Sequence, residues 1–216
     1  MIVITREQNN DEWKRARLGI PTASAFGQIC TAVNGTYSAS AAGYMLGLID
    51  AILRPEYQAD EAFKGSKDTE RGHEREPEAR GVYAFDTGAA LSQTGFVLSD
   101  DRRFGCSPDS LVGPDGLLQV KCQVGRRFLE TQRTFGRAGK LPDEYRAQVH
   151  GEMIVTGRAW NDLMVYCPGY EPLIFRATPD KYTDKLRACL DQFHAEYTTL
   201  LSEYGLEHPG ASLEAA

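Results

Sequence analysis

Three polar side chains lie close together on a predicted β-hairpin in the middle of the chain. Asp109 begins one predicted strand, and the turn Pro114-Asp115-Gly116 leads into the next, over residues 117–122. Gln119 and Lys121 lie two positions apart on that second strand, so their side chains point to the same face of the sheet. A carboxylate, a second oxygen ligand and an ammonium group at one place predict a metal-dependent phosphodiesterase site. In such a site Mg²⁺ takes oxygen ligands, and the lysine orients or deprotonates the attacking water.

The same residues also have ordinary structural interpretations. Asp109 could cap a turn that contains Ser107 and Pro108. Lys121 could be an exposed lysine on an edge strand, where such residues discourage aggregation. The hairpin alone does not distinguish a catalytic role for these residues from a structural one. The flanking sequence is needed to distinguish them.

Four blocks of sequence surround the hairpin in a fixed order. They read RLGIPTAS at 17–24, GHEREPEAR at 72–80, CSPD at 106–109 and AQV at 147–149. The blocks resemble the family of bacteriophage lambda exonuclease and the YqaJ-like viral recombinases, and the hairpin residues resemble the PD-(D/E)xK nuclease motif of the superfamily to which that family belongs. The resemblance extends over about residues 13–153. The last third of the chain agrees only in its predicted order of strands and helix.

The resemblance implies a role for each matched position of the hairpin. Asp109 would be the principal metal ligand, Gln119 would occupy the second ligand position, and the carbonyl oxygen of Val120 would be the third ligand. Lys121 would position the water nucleophile. All four residues belong to one short stretch of the chain, so formation of the hairpin is enough to bring them together.

Five further residues take roles from the resemblance. Glu76 would add a carboxylate for a second metal or its waters, although the charged run around it is also typical of a solvated helix face. Gln148 would help to hold water or the scissile phosphate, but it could equally be an ordinary polar helix residue. Arg17, Ser24 and Ser107 would form a pocket for a 5′-phosphate, which accepts hydrogen bonds from a guanidinium and from hydroxyls.

Gln119 departs from the family, which has a glutamate at this position. An amide oxygen still offers a lone pair to a metal but brings no charge, so we expect Mg²⁺ to bind more weakly here. Two explanations stay open: a Glu→Gln substitution introduced to trap a complex, and a natural inactive or variant site. In either case we expect this chain to have little activity.

The resemblance implies a Mg²⁺-dependent 5′→3′ exonuclease that hydrolyses one strand of linear double-stranded DNA to mononucleotides. The remaining strand would be a 3′ single-stranded overhang for recombination. Mn²⁺ would substitute for Mg²⁺, and Ca²⁺ would not support cleavage. The implied partners are double-stranded DNA ends, two further copies in a homotrimer and a single-strand annealing protein, in the cytoplasm of a bacterial host that carries a phage or prophage. Two alternatives remain: another PD-(D/E)xK endonuclease or repair nuclease, and a non-catalytic DNA-end-binding protein.

Composition excludes several other classes of protein. The chain has 216 residues and a formal net charge of −6, which disfavours indiscriminate binding to a polyanion. Residues 121–140 contain six bases and one acid, so an anionic ligand could bind there, although a solvated helix or loop explains this run equally well. No apolar run approaches the roughly 20 residues of a membrane span. Five widely spaced cysteines predict free thiols.

The periodicity of the sequence predicts an α/β (α+β) fold, in which helices flank a central mixed β-sheet with a restriction-endonuclease-like PD-(D/E)xK core. Helices are predicted over 9–17, 143–155 and from Thr178, a predicted N-cap, to about 204, together with a buried helix over 44–53. Strands are predicted over 91–98, 104–107, 117–122, 162–167 and 172–177. We expect a single nuclease domain over 1–216, with a frayed tail from about 205.

Overall fold

The computed structural model describes residues 1–57 and 67–216. Within those ranges the chain forms six α-helices: α1 (Asp11–Ala16), α2 (Ala41–Leu53), α3 (Lys67–Thr87), α4 (Gly125–Thr134), α5 (Asp143–Thr156) and α6 (Lys181–Glu203). It also forms eight strands: β1 (Ile2–Val3), β2 (Leu91–Ser92), β3 (Val97–Leu98), β4 (Gly105–Cys106), β5 (Ser110–Val112), β6 (Gly116–Cys122), β7 (Trp160–Tyr166) and β8 (Leu173–Ala177). The predicted single domain includes residues 58–66, which lie outside the described residues.

The larger sheet is mixed, as predicted, and contains the hairpin at its centre. Its strand order is β2-β5-β6-β7-β8. Strand β6 pairs antiparallel with β5 and parallel with β7, and Lys121 lies opposite Val165 in the second pairing. Since β6 is an internal strand, the interpretation of Lys121 as an edge-strand lysine is wrong.

Helices cover both faces of this sheet. Val120 of β6 belongs to a core cluster with Tyr83 of α3, whereas Leu117 belongs to a cluster with Val149 of α5. Side chains alternate along a strand, so the odd-numbered residues of β6 face α5. The side chains of Gln119 and Lys121 therefore extend toward the helix that carries the predicted Gln148.

A second sheet, of order β1-β3-β4, was not predicted. The expected strand over 91–98 is instead two short strands that belong to different sheets. The chain crosses between the sheets where Phe96 accepts a hydrogen bond from the backbone N–H of Ile4 at 2.8 Å. Gly95 permits this close approach, because a side chain there would collide with backbone oxygens of Thr5 and Glu7.

Three local expectations differ from the structure. Helix α6 is capped by Asp180 and not by Thr178: the Asp180 carboxylate accepts from two backbone N–H groups, and Thr183 completes a capping box. Helix α2 is only partly buried, since Leu46 is 51% exposed. The tail after α6 packs against the body of the protein, where Arg102 donates to its backbone and His208 packs against Tyr197.

All five cysteines are free, as the sequence predicts. Among the described residues, no helix is both long enough and apolar enough to cross a membrane.

Candidate active site

Asp109 and Gln119 meet at the mouth of the β5–β6 hairpin. Asp109 immediately precedes β5 and is 8% exposed, and Gln119 on β6 is 5% exposed. One carboxylate oxygen of Asp109, Oδ2, accepts from the amide Nε2 of Gln119 at 2.5 Å and from the backbone N–H of Val120 at 2.6 Å. Asp109 is thus bound to the neighbouring strand and is more than a turn cap.

Burial and a neighbouring carboxylate control the protonation of Asp109. Burial, followed by the negative charge of Glu76, raises the pKa of Asp109 to about 8. The ammonium group of Lys121 and the N–H of Val120 act in the opposite direction. A buried acid with this balance of charges is typical of sites that bind a cation.

Helix α3 brings Glu76 and Arg80 to the site. They lie one helical turn apart and form an ion pair of 3.2 Å, and Arg80 also donates to the backbone oxygen of Asp109 at 3.3 Å. A cavity of about 400 Å³ opens beside this pair and is lined in addition by Pro77 and by polar or charged residues: Arg6, Glu7, Gln8, Asn9, Gln93 and Thr94. The structure therefore places the predicted Glu76 next to Asp109 and next to an open polar cavity.

Helix α5 brings Gln148 and Glu152 to the other side of β6. The amide Nε2 of Gln148 donates to Oε1 of Glu152 at 2.8 Å, and Asn161 of β7 donates to Oε2 at 2.8 Å. Burial raises the pKa of Glu152 to about 7, although both amides and the charge of Lys121 lower it. Gln148 is therefore part of a buried polar network and not an isolated helix residue.

Lys121 is half-buried on the face of β6 that α5 covers. Its Nζ atom lies 5.5 Å from the centroid of the Tyr145 ring of α5, within reach of a cation–π interaction. Its charge acts on both Asp109 and Glu152. The ammonium group is thus near enough to two buried carboxyl groups to lower the pKa of each.

Arg17 and Ser107 meet at a second, adjacent position. Nη1 of Arg17 donates to Oγ of Ser107 at 3.3 Å, and Nε1 of Trp13 donates to the same oxygen at 2.9 Å. The guanidinium lies over the Trp13 ring, 4.3 Å from its centroid, and burial lowers the pKa of Arg17. Ser24 is exposed, and its hydroxyl lies 3.3 Å from that of Thr22. The structure thus joins two of the three predicted phosphate ligands directly.

The oxygen atoms of the hairpin suit a magnesium ion chemically. Mg²⁺ binds hard oxygen ligands, and the site offers the Asp109 carboxylate, the Val120 carbonyl and the side-chain oxygen of Gln119. That Gln119 oxygen, Oε1, is buried and has no hydrogen-bond partner among the described residues. In the part of the chain that the structure describes, no group of three His, Cys, Asp or Glu side chains could hold a metal. The ligands that the hairpin offers to Mg²⁺ are thus one carboxylate and two neutral oxygens.

Several residues of the site were not predicted from the sequence. Arg80 follows Glu76 by four residues and Glu152 follows Gln148 by four, so helical spacing could have paired them. Asn161 could not be found in this way, because its contact depends on how α5 packs against β7. Trp13 packs against the cluster of Ile4, Ile20 and Phe96, and its ring also contacts both Arg17 and Ser107.

Comparison with solved structures defines the class of protein to which this fold and site belong. The alkaline exonuclease LHK-Exo from Laribacter hongkongensis is 30% identical to this chain, with a TM-score of 0.71 over 91% of this chain and 98% of that one. The structure of LHK-Exo in complex with dAMP matches with a TM-score of 0.70, again over 91% of this chain and 98% of that one. A phage-related exonuclease from Haemophilus somnus 129PT, 16% identical, shares the fold with a TM-score of 0.61 over 86% of this chain and 96% of that one. The fold is that of a nuclease core.

The family follows from the sequence itself. Residues 12–159 match the YqaJ-like viral recombinase domain, and the chain belongs to this family. The family and the exonuclease relatives support a nuclease, and hence hydrolase, role for the chain. No curated protein matches it.

Proposed function

We propose that this protein is a Mg²⁺-dependent 5′→3′ exonuclease that acts on linear double-stranded DNA. It would hydrolyse one strand to mononucleotides and leave a 3′ single-stranded overhang for recombination. The observation that carries the proposal is the meeting of Asp109, Gln119 and Lys121 at the mouth of the hairpin, with Glu76 beside them. The relative LHK-Exo has a structure with dAMP, which supports a mononucleotide as the product.

Asp109, Gln119 and Val120 would hold Mg²⁺ through their oxygen atoms. When bound, the metal supplies positive charge that stabilises the phosphate during its hydrolysis. Lys121 would orient the attacking water or take part in its deprotonation. Glu76 and Gln148 would hold further water molecules, because both side chains lie near this group of residues and present polar atoms.

Gln119 would make this chain a weak enzyme. An uncharged ligand next to the single carboxylate of Asp109 provides less attraction for a divalent cation than the glutamate of the family. The chain would therefore bind DNA ends more readily than it cuts them. We expect the same weak activity whether Gln119 is a substitution introduced to trap a complex or a natural variant.

The polarity of the reaction would come from Arg17, Ser107 and Ser24. The half-buried guanidinium and the Ser107 hydroxyl are in contact, and the exposed Ser24 would contribute a second hydroxyl to a 5′-phosphate. The exposed bases of α4 and the following segment would contact the phosphates of the duplex. They are Arg126, Arg127, Arg133, Arg137 and Lys140.

The partners in this proposal come from the family. They are DNA ends, two further copies of the chain in a homotrimer that surrounds the duplex, and a single-strand annealing protein that receives the overhang. Mn²⁺ would replace Mg²⁺, and Ca²⁺ would permit binding without cleavage. The protein would act in the cytoplasm of a bacterium that carries a phage or prophage.

The proposal is tested with the Gln119→Glu variant on two substrates in Mg²⁺. Linear duplex DNA with 5′-phosphates should yield mononucleotides, and closed circular duplex should stay intact. Cleavage of the circle would instead indicate an endonuclease of the same superfamily. If neither DNA is cut while linear ends are still bound, the protein is a non-catalytic DNA-end-binding protein.

A further inference from the structure

Glu152 is a buried carboxyl group that no proposed step has used. It is 1% exposed and lies on α5, one helical turn after Gln148. Its two carboxylate oxygens accept from different amides, Oε1 from Gln148 and Oε2 from Asn161, each at 2.8 Å. A carboxylate satisfies two donors in this way, whereas an amide in its place could accept only one of them.

Asn161 fixes the position of Glu152 from the sheet. Asn161 is fully buried on β7, and its Nδ2 also donates to the backbone oxygen of Val149 at 3.1 Å. Both hydrogens of that amide are therefore used, one by a helix carbonyl and one by Glu152. This arrangement leaves the Glu152 carboxylate little freedom to turn, so its other oxygen faces Gln148 in a defined direction.

This arrangement also fixes the orientation of the Gln148 amide. An ionised carboxylate only accepts hydrogen bonds, so the NH₂ group of Gln148 must face Glu152 and its oxygen Oε1 must face away. Gln148 is half-buried at the edge of the candidate site, on the face of β6 from which Lys121 extends. Its oxygen thereby stays available to accept a hydrogen bond from a water molecule.

We propose that Glu152 is a positioning residue for hydrolysis: its carboxylate holds the Gln148 amide with the oxygen toward the reacting water. This inference rests on the proposed nuclease function, which assigns Gln148 to that water. Glu152 itself does not touch the substrate. It acts through Gln148, in the same way that an outer carboxylate orients an inner ligand in many enzyme sites.

The protonation state of Glu152 should then control the orientation of the Gln148 side-chain amide. A neutral carboxyl group can donate its proton in a hydrogen bond. Protonation of Glu152 would therefore allow the Gln148 amide to rotate, so that its oxygen faces Glu152 in place of its NH₂ group. The charged or titratable groups that act with Glu152 are Lys121 of β6, Asp109 at the start of β5 and Cys106 of β4. Burial raises the pKa of Glu152 to about 7, so this change falls near neutral pH.

The first test follows the Gln148 amide by NMR in the ¹⁵N-labelled, deuterated protein. The side-chain signal is assigned by its loss in Gln148→Met. It should shift with a midpoint near pH 7, keep that shift in Asp109→Asn and lose it in Glu152→Gln. A signal that does not move with pH, or that moves only when Asp109 is present, overturns the proposal. The titrations of the parent protein and of Asp109→Asn need no change at Glu152, so the test survives a Glu152→Gln variant that fails to fold.

The second test measures cleavage and DNA binding separately in the Gln119→Glu background. Glu152→Gln should lower the single-turnover rate by about tenfold or more and leave the Kd for DNA ends within about twofold. The matched control is Thr156→Val, which removes a buried hydroxyl from the next turn of α5 and should leave both values unchanged. A cleavage rate equal to that of the parent overturns the proposal.

The two hypotheses fail in different ways. If the Gln119→Glu parent cuts DNA and Glu152→Gln cuts equally well, only the role of Glu152 is refuted. If the parent does not cut at all, the nuclease proposal fails. The NMR titration then decides separately whether Glu152 orients Gln148.

Discussion

The side-chain amide of Gln119 donates a hydrogen bond to Asp109 across 2.5 Å inside the protein. The amide hydrogen places partial positive charge against the carboxylate, where a cation would otherwise act. The amide hydrogen thereby occupies one oxygen of Asp109, and the acceptor oxygen of Gln119 is left without a partner among the described residues. A glutamate at this position could not donate this bond and would place a second negative charge beside Asp109.

We predict that Gln119→Glu binds Mg²⁺ about tenfold or more tightly than the chain itself, because it adds a charged oxygen ligand. Calorimetric titration of both proteins in the absence of DNA checks this. The pKa of Asp109 is about 8, so Mg²⁺ binding at neutral pH should release protons, and its measured heat should change with the buffer. Equal Mg²⁺ affinities for the two proteins would remove Gln119 from the metal site.

We predict that Arg17→Lys abolishes the preference for a 5′-phosphate over a 5′-hydroxyl end. Arg17 contacts Ser107 through a planar guanidinium that a lysine cannot reproduce. Competition binding with two duplexes that differ only in the terminal group measures the preference. Arg15→Lys, at an exposed position on α1, is the matched control and should keep it. An unchanged preference in Arg17→Lys would place the phosphate elsewhere.

We predict that Tyr83→Phe lowers the free energy of unfolding by about 1–2 kcal/mol. The Tyr83 hydroxyl donates to the buried Asp162 at 2.7 Å, and Arg176 holds the same carboxylate through two bonds of 2.8 Å. Without the Tyr83 hydroxyl, the buried Oδ2 of Asp162 has one hydrogen bond fewer to offset the cost of removing it from water. Urea denaturation measures the change, and Tyr166→Phe should cost less because its partner Glu78 is exposed. Equal losses would contradict this explanation.

We predict that His208 contributes a loss of stability as the pH falls from about 6.5 to about 4, against the buried carboxyl groups of Asp109 and Glu152, whose raised pKa values act in the opposite direction. Burial and the neighbouring His194 lower the pKa of His208 from 6.5 to about 4. Between these values the unfolded chain binds a proton that the folded chain does not, so acid favours unfolding. Thermal unfolding across this range measures the contribution as the difference between the chain and His208→Gln, and the variant should lose less stability, or gain more, as the pH falls. An identical slope in that variant would assign the effect to other groups.

The hairpin and its chemistry could be predicted because they depend on local sequence. The turn Pro114-Asp115-Gly116 determines the pairing of β5 with β6, and the alternation of side chains places Gln119 and Lys121 on one face. Helix α5 was likewise predicted within one residue at its end. These features need no information about distant parts of the chain.

The remaining features depend on contacts that are distant in sequence. Strand β3 pairs with β1 because Gly95 and Phe96 meet the N-terminal segment, so a continuous pattern over 91–98 was misread as one strand. The bond between Glu152 and Asn161 exists because α5 packs on β7. None of these contacts has a signature in the local sequence.

The most direct test of the central claim compares this chain with Gln119→Glu and with Gln119→Glu/Lys121→Met. Single-turnover release of mononucleotides from 5′-phosphorylated linear duplex in Mg²⁺ is measured beside binding to the same DNA ends. We predict rapid release only by Gln119→Glu, at least about 100-fold slower release by the other two, and similar binding by all three. Equal release by the chain and Gln119→Glu, or undiminished release by the double variant, would contradict the assignment of the hairpin as the site of hydrolysis.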